Sequence, residues 1–189
     1  MNFLKKKTFI FSNKVYKVFK NDIKLKDFYV KDYLSIEPKN KNKQGYGGVA
    51  IIPKYRNYFY IMKVYSPILK KNFYSLPQGF IEKGEKLLFS AERELREETG
   101  IKDKKLNIYK IMDIYPFTSL INSKLGVFKA NINQKIFTKK KIFEIGAGTL
   151  KLISKKKLVS LLNNPAKFDM ISFTCLMHYL YNLDKNDNL

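Results

Sequence analysis

Three glutamates in the middle of the chain have the residue type and spacing that bind a divalent cation. Glu94, Glu97 and Glu98 lie three and four residues apart in a segment, 85–99, of strong helix formers without internal glycine or proline. On a helix, residues at these separations share one face and lie about 5–6 Å apart. Carboxylates that close repel one another unless a cation compensates them, and oxygen ligands suit Mg²⁺ or Mn²⁺. We therefore expect a site for one of these cations on this helix.

Helical periodicity indicates which of these carboxylates is buried. An apolar stripe on the predicted helix comprises Leu87, Leu88, Ala91 and Leu95. At about 100° per residue, Glu94 lies beside this stripe and Glu98 falls within it. Burial raises the pKa of a carboxyl group that no cation compensates. We expect Glu98 to be partly desolvated.

The residues around the glutamates follow a longer fixed spacing. After Gly79 the pattern continues with Glu85, Arg93, Glu94, Leu95, Glu97, Glu98, Gly100 and Ile101. A solvated helix with Glu–Arg pairs at i, i+4 is the alternative explanation, but it accounts for neither the glycines nor the complete spacing. The pattern matches G-x5-E-x7-R-E-U-x-E-E-x-G-U, where U is a bulky aliphatic residue. The chain thus resembles the Nudix hydrolases, for which this box is diagnostic.

The resemblance implies a fold and a set of residue roles. The implied class is α+β, an α/β/α sandwich around a mixed sheet, here with an N-terminal β-rich extension. The implied ligands of Mg²⁺ (or Mn²⁺) are Glu94, Glu97, Glu98 and the backbone carbonyl of Gln78. Arg93 is implied to orient the catalytic glutamates by pairing with Glu85. The implied structural residues of the box are Gly79, Glu85 and Gly100.

Outside the box the chain looks most like the ADP-ribose pyrophosphatase branch. The segments GGVAIIP (47–53), KVYSPIL (63–69) and SLPQG (75–79) are similar to motifs of that branch, and Pro116 follows Gly100 by sixteen residues. Ser66 stands where the branch has an arginine. The branch carries its catalytic base on a late loop, which implies Glu144 here. Tyr65 and Phe117 are candidates to stack on the substrate base.

The implied reaction is hydrolysis of ADP-ribose or an ADP-sugar to AMP and a sugar phosphate. The alternative substrates are a dinucleoside polyphosphate, NADH or an RNA 5′ end. A non-catalytic Nudix module that binds nucleotide or RNA is a further alternative, although the intact acidic positions argue against it. By analogy with the branch, we expect a homodimer in which the N-terminal β region contributes to the interface.

The charge composition indicates which kinds of molecule the protein attracts. The chain has 37 Lys and Arg against 16 Asp and Glu, a net charge of +21. Such a charge attracts anionic substrates and also nucleic acid, but enrichment of Lys, Asn and Ile together also has a purely compositional explanation, so the charge alone decides little. The resemblance implies a small nucleotide substrate rather than nucleic acid. No run approaches the roughly 18 apolar residues of a membrane span, so we expect a soluble, cytoplasmic protein. Cys175, the single cysteine, lies in an apolar run and is expected in the core.

The elements that must position these residues follow from patterning. We predict an extension (1–46), a Nudix domain (47–183) and a flexible tail (184–189). The predicted strands are 8–11, 15–19, 28–36, 49–52, 58–65, 73–76, 106–115, 125–132 and 149–153. The predicted helices are 85–99, 155–162 and 168–181, with Ser154 capping the second and Gly100 ending the first. Pro77 and Gly79 are expected to break the strand pattern just before the box.

Overall fold

The computed structural model describes residues 3–102, 106–133, 135 and 148–186, with side chains up to residue 182. Its strands are β1 Leu4–Ser12, β2 Tyr16–Leu25, β3 Phe28–Pro38, β4 Tyr46–Tyr55, β5 Tyr58–Ser66, β6 Lys71–Ser75, β7 Gln78–Phe80, β8 Asn107–Ile114, β9 Lys124–Asn131 and β10 Gly148–Ser154. Its α-helices are α1 Leu87–Thr99, α2 Lys155–Leu162 and α3 Met170–Asn186. A short 3₁₀ helix, Pro165–Lys167, precedes α3. No helix among these residues is long and apolar enough to cross a membrane.

The larger sheet has the strand order β10-β5-β4-β9-β8, with β6 paired to β5 and β7 paired to β4. β4 runs parallel to β9, and the other pairs are antiparallel, so the sheet is mixed. β4 lies in the middle and is buried from Tyr46 to Pro53. A strand buried on both faces is a continuous apolar run rather than an alternating one, as GGVAIIP is.

Helices cover both faces of this sheet. Successive residues of β4 point to opposite faces, so Ile51 joins a core with α1 while Ile52 joins a core with α2 and α3. Likewise Tyr60 packs on the α1 side and Phe59 on the other side. The expected α/β/α sandwich with a mixed sheet is confirmed.

The first three strands form a separate antiparallel sheet, β1-β2-β3, which confirms the N-terminal β-rich extension. It is bonded to the loop between β8 and β9, because Ile36 N–H donates to the Leu120 carbonyl and Asn122 N–H donates to the Ile36 carbonyl. The ring of Tyr16 packs edge-on against Phe80, 5.3 Å between ring centroids. The extension therefore lies beside the start of the box.

Several boundaries differ from the sequence expectation. β2 continues to Leu25 through polar residues, because both faces of the small sheet remain largely accessible and no alternation is required. β7 forms despite Pro77 and Gly79, since the Pro77 carbonyl accepts from Ile51 N–H and Gly79 pairs with Val49. The predicted break at Pro77 is confirmed, because β6 ends at Ser75, but Gly79 lies within β7, so the predicted break at Gly79 was wrong.

The helix ends also differ from expectation. α1 begins at Leu87, because the side chain of Glu85 binds the preceding loop instead of extending the helix. Leu88 is exposed, so the apolar stripe is narrower than predicted. α3 continues to Asn186, so residues 184–186, predicted as flexible tail, are helical. Ser154 caps α2 as predicted, accepting from Lys157 N–H at 3.3 Å.

Candidate active site

Arg93 connects the parts of the box. Its Nε donates to Glu85 Oε1 at 3.0 Å and its Nη2 donates to Glu85 Oε2 at 3.1 Å, the two-point geometry that guanidinium and carboxylate favour. Nη2 also donates to the Phe80 carbonyl at 2.8 Å. Nη1 donates to Glu94 Oε1 at 2.8 Å and to Glu97 Oε2 at 3.1 Å. The expected pairing of Arg93 with Glu85 is therefore present, and it ties the loop before α1 to the helix.

Glu85 is held as a carboxylate by this network. Partial burial opposes its ionisation, but hydrogen bonds from the Arg93 guanidinium, the Glu82 backbone and the Ser90 hydroxyl lower its pKa to about 2. These donors lie at 3.0 Å or less from Glu85, apart from the second Arg93 contact. Glu85 thus acts as a fixed anion beneath the start of α1.

Glu94 is buried and lies directly against Gly79. A Cβ built on Gly79 would overlap the Glu94 carboxylate, so β7 approaches the helix this closely only because residue 79 is glycine. Burial raises the pKa of Glu94, although Arg93 partly offsets the effect. The carboxylate is therefore positioned at the junction of β7 and α1 and is short of compensating charge.

Glu98 is the most strongly perturbed carboxyl group of the box. Desolvation by burial raises its pKa to about 8, and repulsion from Glu94 and Glu97 adds to the rise, while a hydrogen bond from Gln78 N–H at 2.9 Å to Oε2 opposes it. The expectation that Glu98 is partly desolvated is confirmed. A buried carboxyl group with neighbouring anions is the environment in which a cation stabilises the ionised form.

The three glutamates do not form a closed cation site as they stand. In the described ranges, no three His, Cys, Asp or Glu side chains converge closely enough to hold a metal ion. The physical reason is that the guanidinium of Arg93 occupies the space between Glu94 and Glu97. Glu97 is exposed, 58% by side chain, so its carboxylate can leave Arg93 by a change of rotamer.

The donor set nevertheless suits a hard divalent cation. Burial of Glu94 and partial burial of Glu98 raise the pKa of both, and a bound cation would relieve the cost of ionising them. Carboxylate and backbone carbonyl oxygens are the ligands that Mg²⁺ and Mn²⁺ prefer. Gln78, whose carbonyl was the expected fourth ligand, contacts Glu98 through its N–H. We conclude that these residues fit a divalent cation.

A cavity of about 330 Å³ opens beside the box. Its lining residues come from the small sheet, β4, β7, the 116–123 loop and α3, and are Tyr16, Pro38, Gly47, Val49, Gln78, Gly79, Phe80, Pro116, Ile121, Ser123, Leu125 and Ile171. The lining is mostly apolar, with few polar groups, as in sites for nucleotides and other small molecules. Because Gly79 lines this cavity and also touches Glu94, the cavity and the glutamates adjoin.

Two residues of this cavity were not expected from the sequence. Tyr16 lies on β2 and Phe80 directly follows Gly79, and their rings meet edge-on. Burial raises the pKa of Tyr16, so its hydroxyl stays protonated. Nothing in the local pattern around Tyr16 distinguishes it from the other tyrosines. Phe80 could have been predicted near the site, because it directly follows Gly79 inside the box.

The remaining site candidates lie elsewhere. Tyr65 is half exposed on β5, and Phe117 is half exposed in the loop after β8. Neither lines the cavity beside the box, although Pro116 does. Glu144, the expected base, falls outside the described residues. Cys175 is fully buried, as expected of a core residue, and burial raises its pKa to about 12.

Comparisons with known proteins agree with this geometry. Residues 55–126 match the model of the NUDIX domain. A segment of 59 residues is 39% identical to an RNA pyrophosphohydrolase of Pelagibacter ubique (strain HTCC1062), covering 31% of this chain and 35% of that protein, so the match spans about a third of the relative. A solved structure described as an ADP compounds hydrolase superimposes with a TM-score of 0.66 over 97% of this chain and 98% of that one at 16% identity, a likeness in fold. With its complete box on a helix that packs against β4 and β7, and the fold that surrounds it, this chain is similar to the Nudix hydrolases.

Proposed function

We propose that the protein is a Mg²⁺-dependent Nudix hydrolase. Its reaction is cleavage of the diphosphate linkage of a nucleoside diphosphate derivative, and ADP-ribose or an ADP-sugar is the substrate we favour, with AMP and a sugar phosphate as products. One observation carries the proposal: two carboxyl groups of raised pKa, the buried Glu94 and the partly buried Glu98, lie against Gly79 and Gln78, which line the cavity.

In this proposal the box residues bind the metal and fix its ligands. Glu94, Glu97, Glu98 and the carbonyl of Gln78 would hold Mg²⁺, with Mn²⁺ as a substitute. The bound metal would neutralise charge on the diphosphate and lower the pKa of a bound water. Arg93 holds the Glu94 carboxylate in place. Glu144 is the candidate base for the attacking water.

The cavity supports a nucleoside at this position. Tyr16 and Phe80 supply flat apolar walls for a planar base, and base stacking on aromatic rings is worth about 1–3 kcal/mol. Pro116, the residue that matches the ADP-ribose pyrophosphatase pattern, lines the same cavity. The neighbour described as an ADP compounds hydrolase is consistent with this choice, but the likeness is one of fold.

An RNA 5′ end is the second candidate substrate. The identity of 39% over 59 residues to an RNA pyrophosphohydrolase favours it, and the net charge of +21 would attract a polyanion. The two candidates differ in size, since an ADP-sugar ends within the cavity and an RNA extends beyond it.

Hydrolysis of a substrate panel tests the proposal and separates these candidates. The panel contains ADP-ribose, ADP-glucose, NADH, a diadenosine polyphosphate and 5′-triphosphorylated RNA, each with Mg²⁺ and with EDTA. We expect AMP from ADP-ribose only with Mg²⁺, and a loss of about 100-fold or more in Glu98→Gln, because a ligand of the metal is removed. Glu92→Gln, on the same helix, is the matched control and should stay near the native rate.

The panel can also refute the proposal. Turnover of the RNA alone would replace the ADP-sugar by the second candidate. If no substrate reacts while a nucleotide still binds, the enzyme proposal fails and a binding module takes its place.

We also propose a homodimer formed through the small sheet. Its exposed large apolar side chains include Phe9, Ile10, Phe11, Phe28 and Leu34. A second copy of this sheet would present the same exposed apolar side chains, and exposed apolar patches mark interaction sites. Sedimentation equilibrium should give twice the 22.3 kDa chain mass, and a single-chain mass at micromolar concentration would disprove the dimer.

A further inference from the structure

A second cavity, an open groove of about 560 Å³, lies between two loops near the box. One wall is the loop 39–44, which joins the two sheets, and the other is 81–85, which leads into α1. We refer to this cavity as the lysine groove, because it is lined by Lys39, Lys41, Lys43 and Lys83. None of these four residues belongs to the proposed metal site.

The first wall is held in a defined conformation. The side-chain oxygen of Asn42 accepts from Gln44 N–H and from Tyr46 N–H, both at 3.0 Å, and Asn42 N–H donates to the Tyr46 carbonyl at 2.9 Å. Lys39 N–H donates to the Val15 carbonyl at 2.8 Å. The loop is therefore tied to the small sheet and to β4, and its lysines are presented from a fixed backbone.

The second wall is anchored to the box. Ile81 N–H donates to the Gly47 carbonyl at 3.3 Å, and Glu82 N–H donates to the carboxylate of Glu85 at 3.0 Å. Glu85 is itself fixed by Arg93. Both walls are thus pre-organised, which lowers the entropic cost of binding a ligand between them.

The charges of the groove favour an anion. Lys39, Lys43 and Lys83 are exposed, and none of them forms an ion pair with a described residue. Lys41 is the exception, since it donates to a carbonyl and lies 3.7 Å from Glu37. Of the two acidic lining residues, Glu85 is neutralised by Arg93, and Glu82 is the only one left to oppose an anion within this lining.

The distribution of lysines in the groove favours a chain of phosphates. Lys39, Lys41 and Lys43 lie in the 39–44 loop on one side of the groove, and Lys83 lies in the 81–85 loop on the other side. Proteins that bind single-stranded nucleic acid track its backbone in such positively charged grooves. The side-chain amides of Asn40 and Gln44, which also line the groove, add hydrogen-bond donors for phosphate oxygens.

We propose that the lysine groove binds the phosphate backbone of single-stranded nucleic acid. This function goes beyond the diphosphate reaction and does not depend on it, because the groove shares no metal ligand with the box. Binding should weaken with salt as the lysines release counterions from the phosphates.

Fluorescence anisotropy of a labelled single-stranded RNA of about 12 nucleotides tests the proposal directly, in EDTA so that no hydrolysis occurs. The test variant is the triple substitution Lys39→Gln, Lys43→Gln and Lys83→Gln. The matched control is Lys151→Gln, Lys156→Gln and Lys157→Gln, which removes the same charge from exposed positions of β10 and α2. Thermal unfolding of each variant verifies that it folds.

We expect the groove variant to bind roughly ten-fold or more weakly at low salt, with a salt slope shallower by about 2, since each lost phosphate contact to a single strand contributes about 0.7. The control variant should change affinity by less than about two-fold. Glu82→Gln should tighten binding, because it removes the opposing carboxylate. An unlabelled duplex should compete more weakly than the single strand.

Two results would overturn the proposal. Equal losses in the groove and control variants would show that binding follows overall charge rather than this groove, and equal competition by duplex would exclude a single-strand site. Hydrolysis of ADP-ribose by the groove variant reports separately on the proposed enzyme activity, so the failure of one proposal is distinguishable from the failure of the other.

Discussion

Arg93 shows how one residue organises the candidate site. Its guanidinium contacts Glu85, Glu94 and Glu97 and the carbonyl of Phe80. Its contacts with Glu85 and the Phe80 carbonyl tie the loop before α1 to the helix, and its contacts with Glu94 and Glu97 hold two of the candidate metal-binding carboxylates. Because Arg93 neutralises Glu85 and part of Glu94 but does not contact Glu98, the charge that remains uncompensated lies at Glu98. A bound cation would therefore be most stabilising beside Glu98, which Arg93 does not contact.

Replacing Glu85 by Gln should lower the free energy of unfolding at neutral pH by about 1–3 kcal/mol, because Arg93 loses a charged hydrogen-bond partner. The folded-state pKa of Glu85, about 2, lies below its ordinary value of 4.5. Its contribution is thus complete above pH 4.5 and is lost as the pH falls towards 2. Urea denaturation across this range should show the gap between native and variant proteins narrowing. A gap that stays constant would contradict the prediction.

At the scale of elements, helix α1 positions the carboxylates through its packing and its two ends. Leu95 and Ala91 are fully buried in the core against β4, which fixes the rotation of the helix and brings Glu94 to Gly79. The first turn has no side-chain cap, and the Glu85–Arg93 pair secures it instead. The last turn ends at Gly100.

Gly100→Ala should lower the free energy of unfolding by about 1 kcal/mol. Gly100 has φ of 70°, the left-handed conformation, where a Cβ is strained, and its N–H donates to the Arg96 carbonyl at 2.8 Å. Gly100→Asn should lose less, because asparagine tolerates this conformation. Chemical denaturation measures both. If the alanine and asparagine variants lose the same free energy of unfolding, the left-handed backbone at residue 100 is not the cause of the loss.

At the scale of the whole molecule, the small sheet completes the cavity of the Nudix fold. Tyr16 and Pro38 from this sheet line the same cavity as Gln78 and Phe80, at the start of the box. The connecting loop 39–44 forms one wall of the lysine groove as well. The extension is therefore part of the site in the same chain, besides its proposed role in dimerisation.

Tyr16→Ala should raise the KM for ADP-ribose about ten-fold, because a stacking wall is worth about 1–3 kcal/mol. The kcat should change little, since Tyr16 contacts none of the glutamates in the described structure. Tyr16→Phe keeps the ring and should resemble the native enzyme. Steady-state kinetics measure KM and kcat separately. An unchanged KM in the alanine variant would show that the adenine base does not stack on Tyr16.

The amino-acid sequence by itself determined the box helix, its glutamates and its glycine end, and the resemblance of the box to the Nudix pattern implied the sandwich class. The helix features depend on spacing along one element, because a 3.6-residue period brings Glu94 and Glu98 to one side. The pairing of Arg93 with Glu85, eight residues apart, was implied by the same resemblance. Such local relations do not depend on how distant segments meet.

Only the tertiary structure decided what surrounds the box. Tyr16 and Phe80 are far apart in sequence, and their contact depends on how the small sheet docks. The lysine groove likewise needs 39–44 and 81–85 to face each other. Strand β7 also depends on a partner, because Gly79 pairs with Val49 in spite of its own low strand propensity. These contacts depend on packing between segments that are distant in sequence, and the periodicity of the sequence does not predict such packing.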